Sequence, residues 1–172
     1  MLIVFAGLPG TGKTTVARDL ARQVSTTYLR IDSIEQTLRE SRVCSGALDD
    51  AGYRVAYAIA SDNLRLGRIV VADSVNPIAL TREAWHSVAQ QAGVLAIEVE
   101  LVCSDLDEHQ RRVESRVSEI AGLKLPTWQD VVNREYSTSW SRSHHVIDTA
   151  GRTAQESIEI ILKFLQDLPQ GS

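Results

Sequence analysis

The chain is poor in several residue types, and each shortage narrows what it can be. It has two cysteines in 172 residues, Cys44 and Cys103, far apart and without a His or Cys partner at metal-ligand spacing. Neither a disulfide framework nor a zinc site is indicated, and a reducing compartment fits. No hydrophobic run is long enough to cross a bilayer: the apolar start, Leu2-Ile3-Val4-Phe5-Ala6, stops at a glycine loop and does not read as a signal peptide. A soluble, cytoplasmic protein without membrane contact is expected. An excess of positive charge is also lacking, the net charge being −4 and the pI about 5.6. A surface built to grip long nucleic acid needs a dense field of cations, so nucleic acid is a disfavoured partner and a small ligand a favoured one. Lysine occurs only at Lys13, Lys124 and Lys163, and the rest of the 18 basic residues are arginine. The planar fork of arginine matches phosphate oxygens.

What is present is an alternation of short β-branched runs with longer stretches of helical period, the pattern of βαβ units around a parallel sheet. Five strands are expected: Leu2 to Ala6, Thr26 to Ile31, Arg68 to Ala72, Leu95 to Val102 and His145 to Ile147. Helices are expected over Lys13 to Val24, Ile34 to Val43, Asp50 to Leu66, Ile78 to Gln91, Leu106 to Ile120, Trp128 to Tyr136 and Thr153 to Leu168. In the first, Val16, Ala17, Leu20, Ala21 and Val24 share a face; in the last, Ile158, Ile161, Leu162 and Leu165 do, behind a Thr153/Glu156 capping box. The length suits one domain. Residues 118–143 fit the α/β rhythm least and are read as a lid, and Pro169 to Ser172 as a frayed end.

The most specific signal is Gly7-Leu8-Pro9-Gly10-Thr11-Gly12-Lys13-Thr14, which satisfies G-x-x-x-x-G-K-[ST] directly after a strand and before a helix. Glycines let the backbone curl with its N–H groups inward, making a nest for phosphate oxygens at a helix N-terminus. This predicts a nucleoside triphosphate with Mg²⁺: Lys13 for the β- and γ-phosphates, the Thr14 hydroxyl for the metal, and Thr15 near the α-phosphate.

Other residues narrow the class. Asp73 ends the strand Ile69 to Ala72 at the sheet edge where ligands collect, and reads as a metal or substrate ligand or as a turn residue. Ser74 follows, where many hydrolytic ATPases place Glu; that favours transfer to a bound acceptor. No Asn-Lys-x-Asp sequence is present to read guanine. Asp32, at the end of the second strand, is a candidate base for an acceptor hydroxyl, the alternative being that Asp32 or Ser33 caps the next helix, Ser33 with Gln36 at capping-box spacing. In the helix from Leu106, a core stripe of Leu106, Val113, Val117 and Ile120 is expected, bordered by His109, Arg112 and Arg116. Arginines leading into a lid suit phosphoryl transfer; salt bridging with Asp105, Glu108 or Glu119 is the other reading. Arg134 is a further, more distant candidate. Tyr53, Arg54, Tyr57 and Asn76 are placed at the border of an acceptor pocket or in the core.

On the Walker A loop, Asp32, the run Val71 to Pro77 with Arg82 and Trp85, Arg112-x-x-x-Arg116 and Val146-Ile147-Asp148-Thr149, the chain resembles P-loop kinases of the polynucleotide kinase, zeta toxin, chloramphenicol phosphotransferase and gluconate kinase group. The resemblance implies an α/β three-layer P-loop NTPase fold with five parallel strands ordered 2-3-1-4-5 and an arginine-bearing lid over ATP. It assigns Asp32 as base, Asp73 as a substrate or Mg²⁺ site, Arg116 as the lid arginine and the Asp148, Thr149 to Gly151 loop as a wall for adenine. Polynucleotide kinase carries arginine three residues beyond its base, where this chain has Glu35. The expected activity is therefore transfer of the γ-phosphate of ATP to a hydroxyl of a small molecule, with a polynucleotide or nucleotide kinase and a slowly hydrolysing nucleotide switch as the alternatives.

Overall fold

Leu2–Ala6 forms strand β1, and all five of its residues are buried, as a central strand covered on both faces requires. This computed structural model describes residues 1–41 and 50–168. After β1 come α1 (Lys13–Gln23), β2 (Thr27–Arg30), α2 (Ile31–Ser41), α3 (Ala51–Arg65), β3 (Val70–Asp73), α4 (Ala79–Gln91) and β4 (Ala96–Val102). The chain continues through α5 (Leu106–Glu114), α6 (Trp128–Val132), β5 (His145–Asp148) and α7 (Ala154–Gln166). The five strands form one parallel sheet in the order β2-β3-β1-β4-β5, the order expected. Among the described residues no helix is long and apolar enough to cross a membrane.

Because strand side chains alternate, β1 feeds two cores. Ile3 and Phe5 pack with Val16, Leu20, Ile158 and Ile161 of α1 and α7, whereas Leu2 and Val4 pack with Ala56, Leu64 and Trp85 of α3 and α4. Complete burial of a residue such as Leu20 or Ile161 contributes about 1.5–3 kcal/mol. The Thr153/Glu156 capping box forms at the start of α7 as expected. Register then sets the functional edge: Phe5 pairs with Asp73, Arg30 also pairs with Asp73, and Val102 pairs with Asp148, so the strand ends share one rim with the glycine loop.

Several expected boundaries are corrected. β2 ends at Arg30 and α2 begins at once with Ile31, so Asp32 lies in the first helical turn and the Ser33/Gln36 capping box does not form. α5 stops at Glu114, and the Ser115 hydroxyl there turns back onto the Arg111 carbonyl at 2.7 Å. Of the expected stripe only Val113 is buried in the helix; Leu106 is 68% and Val117 84% exposed. Arg116 therefore lies beyond α5 and shares no helical face with Arg112. α6 ends at Val132, short of Tyr136. Val43, Cys44 and the segment Pro169 to Ser172 fall outside the described residues.

Within residues 118–143 the second half is fastened to the body. Arg82, buried in α4, donates to the carbonyls of Ser137 (2.7 Å) and Ser139 (2.9 Å) and lies 3.8 Å under the Trp140 ring. Tyr136 donates to Glu100 at 2.6 Å, and the Ser137 amide to the Pro77 carbonyl at 2.8 Å. The first half is tethered through Glu119, which accepts from Arg18 at 2.8 Å and lies 3.5 Å from Arg30.

Candidate active site

The loop from β1 into α1 curls in the way its glycines permit. Gly7 and Gly10 have φ of 133° and 87°. A Cβ on Gly7 would stand 2.2 Å from the Leu101 carbonyl oxygen of β4, and one on Gly10 2.4 Å from Val113 of α5, so neither position accepts a side chain. The loop is braced from outside. His109 Nε2 meets the Pro9 carbonyl at 2.8 Å, and since a carbonyl can only accept, that nitrogen carries the proton. His109 is thus a buried support set edge-on against Trp128, 5.2 Å between centroids, and not part of an exposed cationic border.

Lys13 opens α1, is buried, and donates from Nζ to the Leu8 carbonyl at 2.8 Å. Burial brings its pKa down to about 8, opposed by the carboxylates of Asp73 and Asp32 and assisted by the cations of Arg116 and Arg134. Asp73, also buried, accepts from the Tyr28 hydroxyl at 2.8 Å and is bonded to the Thr14 hydroxyl. Burial pushes its carboxyl pKa up, while Lys13 and the two hydroxyls pull the other way. Burial and the neighbouring Asp73 charge push the Tyr28 phenol up, so it stays a proton donor.

On the other side of the loop, Thr149 ties β5 to the glycine turn. Its hydroxyl lies 3.1 Å from the Thr11 carbonyl and 3.0 Å from that of Val102, which share its one proton. Arg112 donates to the Thr149 hydroxyl and to its carbonyl, each at 2.9 Å, and pairs with Glu108. The second oxygen of Glu108 accepts the Gly151 amide at 2.9 Å. Asp148 stands behind this loop, its carboxylate held below the usual range by Ser104 and the Ala150 amide.

Two cavities open onto this arrangement. One, of about 320 Å³, runs from Gly10, Gly12 and Thr15 past Arg112 to Thr149, Arg152 and Thr153. The other, of about 440 Å³, is bounded by Pro9, Asp32, Glu35, Asp73, Ser74 and the stretch Gly122 to Pro126. Lys13, Thr14 and Arg116 line both. Of the residues singled out from sequence, Lys13, Thr14, Asp32, Asp73 and Arg116 thus converge, whereas Asp148 lines neither space. Tyr53, Arg54, Tyr57 and Asn76 do not line the second cavity; Tyr53 and Tyr57 pack against the core, Tyr57 edge-on to Trp85 at 4.6 Å. Sequence reasoning missed Tyr28, Gln36, Arg39 and Arg152. Only the strand alternation that puts Tyr28 and Arg30 on one side of β2 hinted at the first.

This fold and loop define a P-loop NTPase architecture. The chain belongs to the AAA domain family, whose pattern it matches over residues 2–133. Among solved structures it is similar to the Mycobacterium tuberculosis APS kinase CysC in complex with AMPPNP and APS, with a TM-score of 0.71 at 19% identity over 96% of this chain and 97% of that one. It is similar as well to a gluconokinase from Sinorhizobium meliloti, with a TM-score of 0.65 at 18% identity over 95% and 90% of the two chains. Chaetomium thermophilum Kti12 in complex with ADP-AlF3 has a TM-score of 0.66 at 22% identity over 95% and 98%. No curated protein sequence matches the chain.

Proposed function

We propose that the chain is an ATP-dependent phosphotransferase that moves the γ-phosphate to a hydroxyl of a small-molecule acceptor. The observation that carries this reading is the meeting of two cavities at Lys13, Thr14 and Arg116, with Asp32 and Asp73 on the second one only. A hydrolysing switch needs room for a nucleotide and a water; a transferase needs a second chamber with a base in it. The kinases among the similar structures agree with the reading.

In this proposal the loop Gly7, Leu8, Pro9, Gly10, Thr11, Gly12 and Thr15 wraps the polyphosphate, and Thr149 bounds the nucleotide's side of the site. Arg112, occupied by Glu108 and Thr149, positions that wall; its bonds support this role over the catalytic one expected from sequence. Thr14 and Asp73 fit Mg²⁺. They are hard oxygen donors already in contact, and Asp73 is a buried carboxylate with no ion pair among the described residues, a situation that a divalent cation relieves. Bound Mg²⁺ would neutralise phosphate charge. Asp32 accepts the proton of the acceptor hydroxyl as its oxygen bonds the γ-phosphorus and the bridging oxygen leaves with ADP. Lys13 and Arg116 stabilise the charge on the migrating group. Of residues 118–143, the first part, which follows Arg116 and carries Lys124, acts as the lid of a single kinase domain, its second half being fastened to the body through Arg82 and Tyr136.

The test is transfer of labelled γ-phosphate from Mg·ATP across a panel of hydroxyl compounds, with water as the control. Label in an organic product supports the reading; release of inorganic phosphate alone, at the same rate with and without every compound, replaces it with a nucleotide switch.

A further inference from the structure

The cavity assigned to the acceptor has a charge pattern of its own. Arg39, Lys124 and Arg134 line it and do not line the nucleotide's cavity. Lysine is scarce in this chain, yet Lys13 and Lys124 both face this space. Among the described residues two of the three carboxylates that line it are engaged. Glu35 holds Arg39 at 3.1 Å on α2 and Asp73 is bonded to Tyr28 and Thr14, while Asp32 adds to the field at Lys13 without an ion pair or side-chain hydrogen bond of its own. Asp130, the carboxylate whose charge Lys124 feels, is taken by the amide and hydroxyl of Thr127 at 2.9 and 2.8 Å.

Lys124 and Arg134 therefore have neither an ion pair nor a side-chain hydrogen bond among the described residues, and Arg134 is close enough to Lys13 to repel its charge. Both are exposed at the cavity's rim, where one cation alone is worth little against solvent screening. Two cations lining one space, with Arg39 beyond them, make a field that favours an anion there.

The lining also says what the acceptor is not. Among the described residues no Phe, Tyr or Trp lines this cavity, and its apolar patches are Pro9, Val75, Leu123, Leu125 and Pro126. Recognition of a nucleobase generally uses a flat aromatic face, which is missing here. The volume of about 440 Å³ suits a molecule of sugar size.

We propose that the acceptor is a small, non-aromatic polyhydroxylated anion, a sugar acid or a sugar phosphate, whose carboxylate or phosphate is held by Lys124 and Arg134 while one of its hydroxyls meets Asp32. This rests on the phosphotransferase reading and narrows it. The transfer is unchanged in its balance: the hydroxyl oxygen bonds the γ-phosphorus, the bond to the bridging oxygen breaks, ADP leaves, and the proton passes to Asp32. Glu35, lying against Gly52 of α3 and paired with Arg39, is part of the same wall.

The experiment is calorimetric titration of a matched six-carbon trio, D-sorbitol, D-gluconate and D-sorbitol 6-phosphate, into protein saturated with Mg·AMPPNP. At least one anion should bind about tenfold or more tightly than sorbitol, with an advantage that shrinks as salt is added. The stronger of the two anions identifies the group. In the Lys124→Gln/Arg134→Gln double variant, still binding Mg·AMPPNP, that advantage should fall to about twofold or less. Equal affinities across the trio, a preference for sorbitol, no binding of any member, or an anion preference that survives the double variant overturns the proposal. Failure of the phosphotransferase reading is separate and appears earlier, as absent heat with Mg·AMPPNP itself or absent transfer from Mg·ATP to every compound.

Discussion

The Thr149 hydroxyl lies 3.1 Å from the Thr11 carbonyl, joining the end of β5 to the phosphate loop across 138 positions of sequence. The edge of the sheet and the turn that must stay curled are thus one rigid piece, with Arg112 and Glu108 behind them. Thr149→Val should keep the fold but leave buried groups without their partner, lowering stability by about 1–3 kcal/mol. Mg·ATP affinity should drop several-fold with it. Thermal unfolding and calorimetry on the same sample check both effects; an unchanged affinity would detach Thr149 from the nucleotide site.

Lys13 sits among Asp73, Asp32, Arg116 and Arg134 with its pKa brought down to about 8. Its cationic form is the one that binds a polyphosphate, and a bound polyphosphate raises its pKa, so binding takes up a proton where free Lys13 is already neutral. Mg·ATP affinity should therefore be level below about pH 8 and decline above it. Dissociation constants measured from pH 6.5 to 9.5 test this, and Lys13→Ala should bind weakly without that slope and transfer nothing. Undiminished turnover in Lys13→Ala would falsify the P-loop assignment.

Asp32, in the first turn of α2, is needed at the chemical step alone if it is the base. Asp32→Ala should lower kcat by about 10² or more while Mg·ATP binds as before. Collapse of nucleotide binding would instead make Asp32 a metal ligand or a structural residue.

Arg116 lines both cavities and forms no salt bridge among the described residues, the nearby Glu119 being bonded to Arg18 at 2.8 Å. Arg116→Ala should cut kcat by about 10³, the size seen for arginines on a migrating phosphoryl group. Single-turnover transfer is the measurement, and a loss of only a few-fold would leave Arg116 a surface residue.

Much of the fold was legible because it is written in local patterns. The alternation of Leu2 to Ala6 with the amphipathic face of Val16, Leu20 and Ala21 needs only neighbours a few positions apart. Asp32 and α5 were harder. Whether Ile31 closes a strand or opens a helix depends on where β2 meets β3, and α5 ends at Glu114 although the apolar period runs on beyond it. Helical periodicity alone carried the stripe on to Val117 and Ile120; the chain instead leaves the helix and exposes Val117.

By itself the sequence determined the phosphate loop, because a nest of amides at a helix N-terminus is built from consecutive residues and their torsions. The strand order was within its reach only through the P-loop kinase resemblance that this loop and its companion motifs carry. Only the tertiary structure decided which charges are spent and which remain available. Arg112 and Arg116 are four positions apart, yet Glu108 and Thr149 occupy one, while Glu119 near the other is hydrogen-bonded by Arg18 and lies 3.5 Å from Arg30. Glu108, four positions back on α5, was within reach of a local pattern, but Thr149, Arg18 and Arg30 come from other parts of the chain, and their distances are set by sheet register and by the packing of helices on its two faces.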